Sequence, residues 1–591
     1  MKQFFKYVLA TIVGMIIMSI IGIVIMFGMI GAMTLTADTP VKLKAQSVYE
    51  LNINGTLLER YQEDPMSEIV GQMYGVENSL IGLDEILYNI RKAKTNDKIA
   101  GIYLKAGGYL SSGFASLKEI RDALEDFKQS GKFIVAYGDN YSQGQYYLCS
   151  VADKVIANPQ GMVEWQGLAT QTPFLKGLLN KMGIEMQVLR VGTFKSAVEP
   201  FTDDKMSEAN RQQVTIFTNS IWNTIVRQVS ESREIASDSL NFFADKMLAL
   251  MPASEVLAYR MIDTITYADG VDGIINKFLG NAADAKVKYV GHSKMTLVPS
   301  TKKLQKERIA VLYASGEIMD ASQSSVDNIT FEQMNKAIEQ IAKDDAIKAV
   351  VFRVNSPGGS AFASEQIWRA VSELKAKKPV IVSMGDYAAS GGYYISCDAD
   401  CIVAQPNTLT GSIGIFGLIP NFEGLTKKIG VTFDGVKTNQ HSDMISFNRP
   451  FTPEERNLLQ AYIERGYETF VSRCAEGRNI SVDSIKQIAE GRVWTGEDAL
   501  KIGLVDELGN LQRAIEIAAQ KVNLEEYSIV SYPEKLPLFA RIMQGLSGED
   551  VKAKIAREYF GNEGFNLIKN LKSAENQSFM QARMEYDIVI K

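Results

Sequence analysis

The chain contains one long segment twice. The block from Asp97 reads DKIAGIYLKAGGYLSSGFAS and, further on, GDNYSQGQYYLCSVADKVIANP; the block from Asp345 reads DAIKAVVFRVNSPGGSAFAS and then GDYAASGGYYISCDADCIVAQP. Asp97 is answered by Asp345 and Asp153 by Asp400, so a single one-residue gap aligns the two blocks. A period this long means two copies of a whole domain, not a solenoid of short units. The copies differ where chemistry would sit: the second carries Pro357-Gly358-Gly359 and Ser390 where the first has Tyr109-Leu110-Ser111 and Gln143.

Each copy alternates strand-like apolar runs (99–104 and 133–137; 346–351 and 380–384) with segments of helical period (83–93; 331–342). That order predicts an α/β fold of parallel βαβ units with right-handed crossovers. Each copy then ends in a long helix, 203–231 and 453–476, entered just after the shared tripeptide Pro-Phe-Thr. The expected divisions are a tip and membrane anchor over 1–37, a first repeat over 45–298, a polar linker over 299–307, a second repeat over 308–527 and an extension over 528–591. The extension has no evident counterpart in the first copy, and its end, 584–590, reads as a strand that docks on the body.

No charge falls between Lys6 and Asp38, and residues 8–33 are almost wholly apolar. Such a run exceeds the roughly 20 residues needed to cross a bilayer and is too long for the core of a cleaved signal. A permanent transmembrane anchor is expected, although lysines on both sides of it leave its direction undecided by charge. A net charge of −6 and a pI near 5.5 argue against nucleic acid as a partner. Four cysteines are too few for a disulfide framework, and Cys397 and Cys401 read as buried residues of one helix.

Ser390 lies in Asp386-Tyr-Ala-Ala-Ser-Gly-Gly-Tyr-Tyr, between a strand and a helix. Small neighbours admit a substrate backbone, and a helix start favours a developing anion; a plain helix cap is the simpler reading. The loop at Gly358-Gly359 can aim backbone N–H groups at a carbonyl oxygen, or can be only a tight turn. Two such loops after consecutive parallel strands fall side by side at the carboxyl edge of a sheet. A serine nucleophile also needs a base. His292 reads as a surface residue near the linker, and His441 lies in a polar loop. Lys195, in Gly192-Thr-Phe-Lys-Ser-Ala-Val-Glu-Pro-Phe, is set among apolar and small residues and has no lysine counterpart in the second copy. One half thus holds a lysine and no serine, the other a serine and no lysine. To serve as a base near pH 7 the amine must be neutral, about three pH units below its usual 10.4, a difference of about 4 kcal/mol that burial between domains can supply. Glu199 must then point elsewhere. Ser412, in Thr410-Gly-Ser-Ile-Gly, is placed to orient the lysine or to shape a turn.

At these motifs the chain resembles the signal peptide peptidase A family, in its long, two-repeat, membrane-anchored form. The resemblance runs from the anchor to about residue 525 and rests on Gly192–Phe201, Asn355–Gly359, Tyr387–Tyr394 and Thr410–Gly414. It implies a tandem Clp-protease/crotonase-like fold and a Ser/Lys dyad peptidase acting on released signal peptides. It also implies a homotetramer on the periplasmic side of the inner membrane, with no metal or cofactor. By position, the nucleophile falls on Ser390, the base on Lys195, the lysine-orienting serine on Ser412, and the oxyanion donors on Gly358, Gly359 and Gly391. A crotonase-type acyl-CoA enzyme and a non-enzymatic membrane scaffold are the alternatives; the first accounts for neither the anchor nor the split serine and lysine.

Overall fold

Strands buried on both faces, such as Ile347–Ser356, alternate with helices that bury a single stripe. In the helix Phe331–Lys343 that stripe is Met334, Ala337, Ile338 and Ile341, spaced i, i+3, i+4, i+7. The result, in a computed structural model, is one parallel-stranded sheet per repeat. It describes residues 3–4, 6–7, 9–19, 21–22, 40–61, 80–300, 303–320, 328–535 and 580–584.

In the first repeat the strands run in the order Leu80–Gly82, Ser47–Leu58, Ile99–Ser111, Phe133–Tyr141, Lys154–Val163, Thr264–Ile265, all parallel. In the second, Ser528–Tyr532, Arg308–Ser315, Ile347–Ser356, Val380–Ala389 and Leu409–Gly411 are parallel neighbours, and Val493–Thr495 closes the edge antiparallel. The long helices are Glu208–Arg233 and Pro453–Arg478. Ser528–Tyr532, expected to begin an extension without a counterpart, has one. It flanks Arg308–Ser315 just as Lys288–Gly291 flanks Ser47–Leu58, both in parallel.

Among the described residues no helix is long and apolar enough to cross a membrane. Residues 9–19 are helical and exposed, while residues 8, 20 and 23–33 of the expected span lie outside the described residues. Cys397 and Cys401 do not share a helix: the helix Gly391–Tyr394 ends first, and Cys401 opens the strand Cys401–Ala404. His292 is not a plain surface residue. It is half-buried, with Nδ1 2.7 Å from the Tyr49 hydroxyl, and burial lowers its pKa.

A third sheet joins the halves. Its order is Asn328–Thr330, Glu317–Met319, Gly358–Ser360, Gln581–Arg583, Ile415–Asn421, Glu185–Val191. The last strand belongs to the first repeat but pairs antiparallel with Ile415–Asn421 of the second over seven residue pairs, from Ile415 with Val191 to Asn421 with Glu185. A short strand, Gln581–Arg583, docks in this sheet; of the strand expected at 584–590, residues 585–590 fall outside the described residues.

A buried ion cluster also spans the halves. Arg353 forks onto Glu59, with Nε and Nη2 each donating at 2.9 Å, and its Nη1 donates to Glu119 at 2.7 Å. Glu59 also accepts from Asn355 Nδ2 at 2.9 Å, and Asn355 accepts from the Tyr387 N–H at 3.0 Å. Asp386 accepts from Ser116 N and Oγ, across the same boundary. The first repeat therefore grips both loops that hold Gly358 and Ser390. One cation faces two enclosed carboxylates, so a proton on Glu119 would neutralise the cluster; burial pushes its pKa from 4.5 up to about 7 despite the nearby Arg353. A carboxyl raised in this way binds its proton more tightly folded than unfolded, so its contribution to stability is lost as pH rises from about 4.5 through about 7. Glu119→Gln should flatten that slope, by about 3 kcal/mol across the window. Urea denaturation at pH 5 and pH 8 measures it; an unchanged slope would show that Glu119 is not the group responsible.

Candidate active site

The third sheet carries the lysine to the serine. The strand Glu185–Val191 ends beside Ile415, and the chain then turns at Gly192, with Phe194 N–H donating to the Glu490 carbonyl at 2.9 Å. Lys195 follows, and its side chain is fully buried. Its Nζ lies 2.8 Å from Ser390 Oγ, 2.9 Å from Ser412 Oγ and 3.2 Å from the Ser412 carbonyl oxygen. Lys195, Ser390 and Ser412 thus meet within hydrogen-bonding distance, the first from one repeat and the other two from its copy. Glu199 is turned to the start of the helix Glu208–Arg233, accepting from Ser207 N at 3.1 Å and Asn210 Nδ2 at 2.8 Å.

Ser390 lies between the strand Val380–Ala389 and the helix Gly391–Tyr394. It does not cap that helix with its side chain. Its backbone stands at φ 54°, ψ −114°, a region that costs a residue with a side chain about 1–3 kcal/mol and recurs at functional sites. The strained turn is held by the Ser390 N–H, which donates to the Gly411 carbonyl at 2.8 Å. Ser412, also at positive φ (49°), is fixed by its N–H donating to the Arg492 carbonyl at 2.7 Å. In the first repeat, Gln143 occupies the position of Ser390 and spends its amide on Gln166 and Gly167. That copy is closed by a polar side chain where the other presents a hydroxyl.

The glycine loop is tightly enclosed. Gly358 and Gly359 both have positive φ, 100° and 152°. The Gly358 N–H donates to Ser356 Oγ at 3.1 Å, so it is already engaged, which the sequence did not reveal. A Cβ on Gly358 would stand 2.7 Å from the Gly391 nitrogen, so the loop and the start of the Gly391 helix converge beside Ser390. His441 stands apart, 3.7 Å from Glu454 on a partly exposed surface.

Gly491 is a site residue that motif reading misses, because a glycine before a strand reads as a turn. At φ 79° it packs against the lysine backbone, and a Cβ there would be 2.6 Å from Lys195 Cβ. Gly491→Ala should therefore displace Lys195 by a fraction of an ångström to an ångström and lower kcat/KM about a hundredfold. Peptide hydrolysis measured beside circular dichroism checks this; a folded variant with wild-type kcat/KM would contradict it.

Two parallel-sheet domains that pool a serine and a lysine define a hydrolase of the serine-protease class, and comparison with known proteins gives the family. The model of peptidase family S49 matches residues 126–275 and 372–525, one stretch in each repeat, and that of the ClpP-like SDH-type serine proteinases matches 325–418. Protease 4 of Salmonella typhi is 36% identical over 85% of this chain and 83% of its own. Protease 4 of Haemophilus influenzae is 36% identical over 83% and 81%. Serine protease SPPA, chloroplastic, of Arabidopsis thaliana is 34% identical over 77% and 68%. The chain belongs to peptidase family S49 and is a serine protease with peptide substrates. That assignment sets aside the acyl-CoA enzyme and the scaffold.

Proposed function

We propose that this protease is a membrane-anchored endopeptidase that degrades released signal peptides and other hydrophobic peptides with a Ser390/Lys195 dyad. The observation that carries the dyad is the 2.8 Å approach of a fully buried lysine amine to a serine hydroxyl in a strained turn. Withdrawal from water disfavours an ammonium, and the partners at Nζ include two hydroxyls and a carbonyl. Neutral Lys195 takes the Ser390 proton as Oγ attacks the peptide carbonyl. The Gly391 N–H, with the Gly358-Gly359 loop, stabilises the oxyanion, Gly358 exchanging Ser356 Oγ for it. The lysinium protonates the leaving amine, water then hydrolyses the acyl-enzyme, and Ser412 holds the amine in line throughout.

The uncharged run over 8–33 supports the anchor, which would keep the site beside the membrane where cleaved signal peptides remain. The family resemblance supports a homotetramer with both repeats on the periplasmic side of the inner membrane. A serine-directed phosphonate tests the dyad. It should label wild type at Ser390 and should label Lys195→Ala at least a hundredfold more slowly. Equal labelling of the two proteins would remove Lys195 from the mechanism.

A further inference from the structure

Lys195 sits between two residues that are held by the same side chain. Gln213, on the first repeat's helix Glu208–Arg233, is 1% exposed. Its Nε2 lies 3.1 Å from the Phe194 carbonyl oxygen and 3.0 Å from Ser196 Oγ. Its Oε1 accepts from the Val493 N–H of the second repeat at 3.2 Å. The amide has one workable orientation, because an N–H stands opposite one end and a carbonyl oxygen opposite the other. Asn210, on the same helix, favours that orientation too. Its Oδ1 lies 3.2 Å from Gln213 Nε2, while its own Nδ2 donates to Glu199 at 2.8 Å.

Both ends of this bridge lead to the chemistry. The Phe194 carbonyl belongs to the planar peptide unit directly before Lys195 Cα, so holding its oxygen sets the direction in which the lysine side chain leaves the turn. Val493 is the antiparallel partner of Gly411. The Gly411 carbonyl accepts from the Ser390 N–H at 2.8 Å, and the carbonyl of Arg492, the residue before Val493, accepts from the Ser412 N–H at 2.7 Å. One buried amide therefore ties the turn that carries the amine to the strand pair that carries both hydroxyls. Donor and acceptor are each engaged away from water, so neither end can be released without leaving a buried polar group unmatched.

We infer that Gln213 is a positioning residue for the reaction, its amide setting the separation between Lys195 Nζ and the Ser390 and Ser412 hydroxyls. It acts through the main chain on either side of Lys195, so it governs proton transfer and leaves peptide binding alone. This rests on the Ser390/Lys195 reading and adds to it the residue that aligns the two repeats' contributions.

The test uses full-length Gln213→Leu, similar in size and without either bond. Per folded molecule, kcat for a reporter peptide should fall about thirtyfold, somewhat less than a full ångström of misplacement costs, with KM held within about twofold. Gln213→Asn keeps an amide but is one methylene too short to reach both ends. It keeps the test open should the leucine variant fail to fold, and its kcat should fall about fivefold. Phosphonate labelling of Ser390 then separates positioning from packing. Gln213→Leu should slow labelling in the otherwise wild-type protein, yet change it by less than about twofold when Lys195 is already alanine, since no amine is left to align. An equal further loss in the Lys195→Ala background, or an unchanged kcat in either folded variant, overturns the inference and leaves Gln213 a packing residue. Wild type and Lys195→Ala labelling at the same rate would instead sink the dyad itself.

Discussion

Ser390→Ala and Lys195→Ala should each leave a folded protein that has lost nearly all peptide hydrolysis. The expected loss in kcat/KM is roughly ten-thousand-fold or more for the serine and roughly a hundred- to ten-thousand-fold for the lysine. Ser390 Oγ and Lys195 Nζ are 2.8 Å apart and would act as one unit, so the double variant should be hardly worse than the worse single one. The fold should survive, because neither side chain belongs to the apolar clusters that pack the two sheets. The Ser390 turn is fixed by main-chain bonds that alanine keeps. Steady-state kinetics with thermal denaturation of all three proteins checks this. Losses that multiply in the double variant would mean two separate contributions rather than a dyad.

The largest effect on stability is expected at the ion cluster between the repeats. Arg353→Met strips the cation from Glu59 and Glu119, leaving two enclosed carboxylates facing each other. Breaking a buried pair from one side costs about 3–5 kcal/mol. Replacing the whole set, Arg353→Met with Glu59→Leu and Glu119→Leu, should recover much of that loss, because apolar residues of similar volume substitute well for a buried ion set. Glu59 holds Asn355, and Asn355 holds the Tyr387 amide on the segment leading to Ser390, so the triple variant should regain stability without regaining full activity. Denaturant unfolding of the single and triple variants measures the first part and peptide hydrolysis the second. A single variant as stable as wild type would contradict the account.

Part of this arrangement is visible in the sequence and part is not, for physical reasons. Duplicated blocks and strand-helix alternation are local patterns, and so were the strands around Ile99 and Val380 and the helix at Phe331. Lys195 and Ser390 stand out because each lacks a partner in its own copy. Their meeting depends on Glu185–Val191 crossing to pair with Ile415–Asn421 of the other repeat, and pairing between distant strands leaves no periodic trace in either. Gly491 and Ser356 act through close approach and a main-chain bond, which no motif records. Arg353 lies in an apolar strand and reads as an oddity until Glu59 and Glu119 are seen opposite. The strand Gln581–Arg583 is not legible in the sequence, because Gln581-Ala582-Arg583 is a weak strand former and owes its conformation to the two strands that flank it.

Chemical rescue tests most directly whether an amine lent by the first repeat activates the hydroxyl of the second. In Lys195→Ala the space beside Ser390 can admit methylamine, and hydrolysis of a reporter peptide should return in proportion to the concentration of unprotonated amine. It should rise with pH accordingly and be absent when Ser390→Ala is added. Lys195→Ala cutting the peptide at the wild-type rate with no amine present would contradict the claim outright.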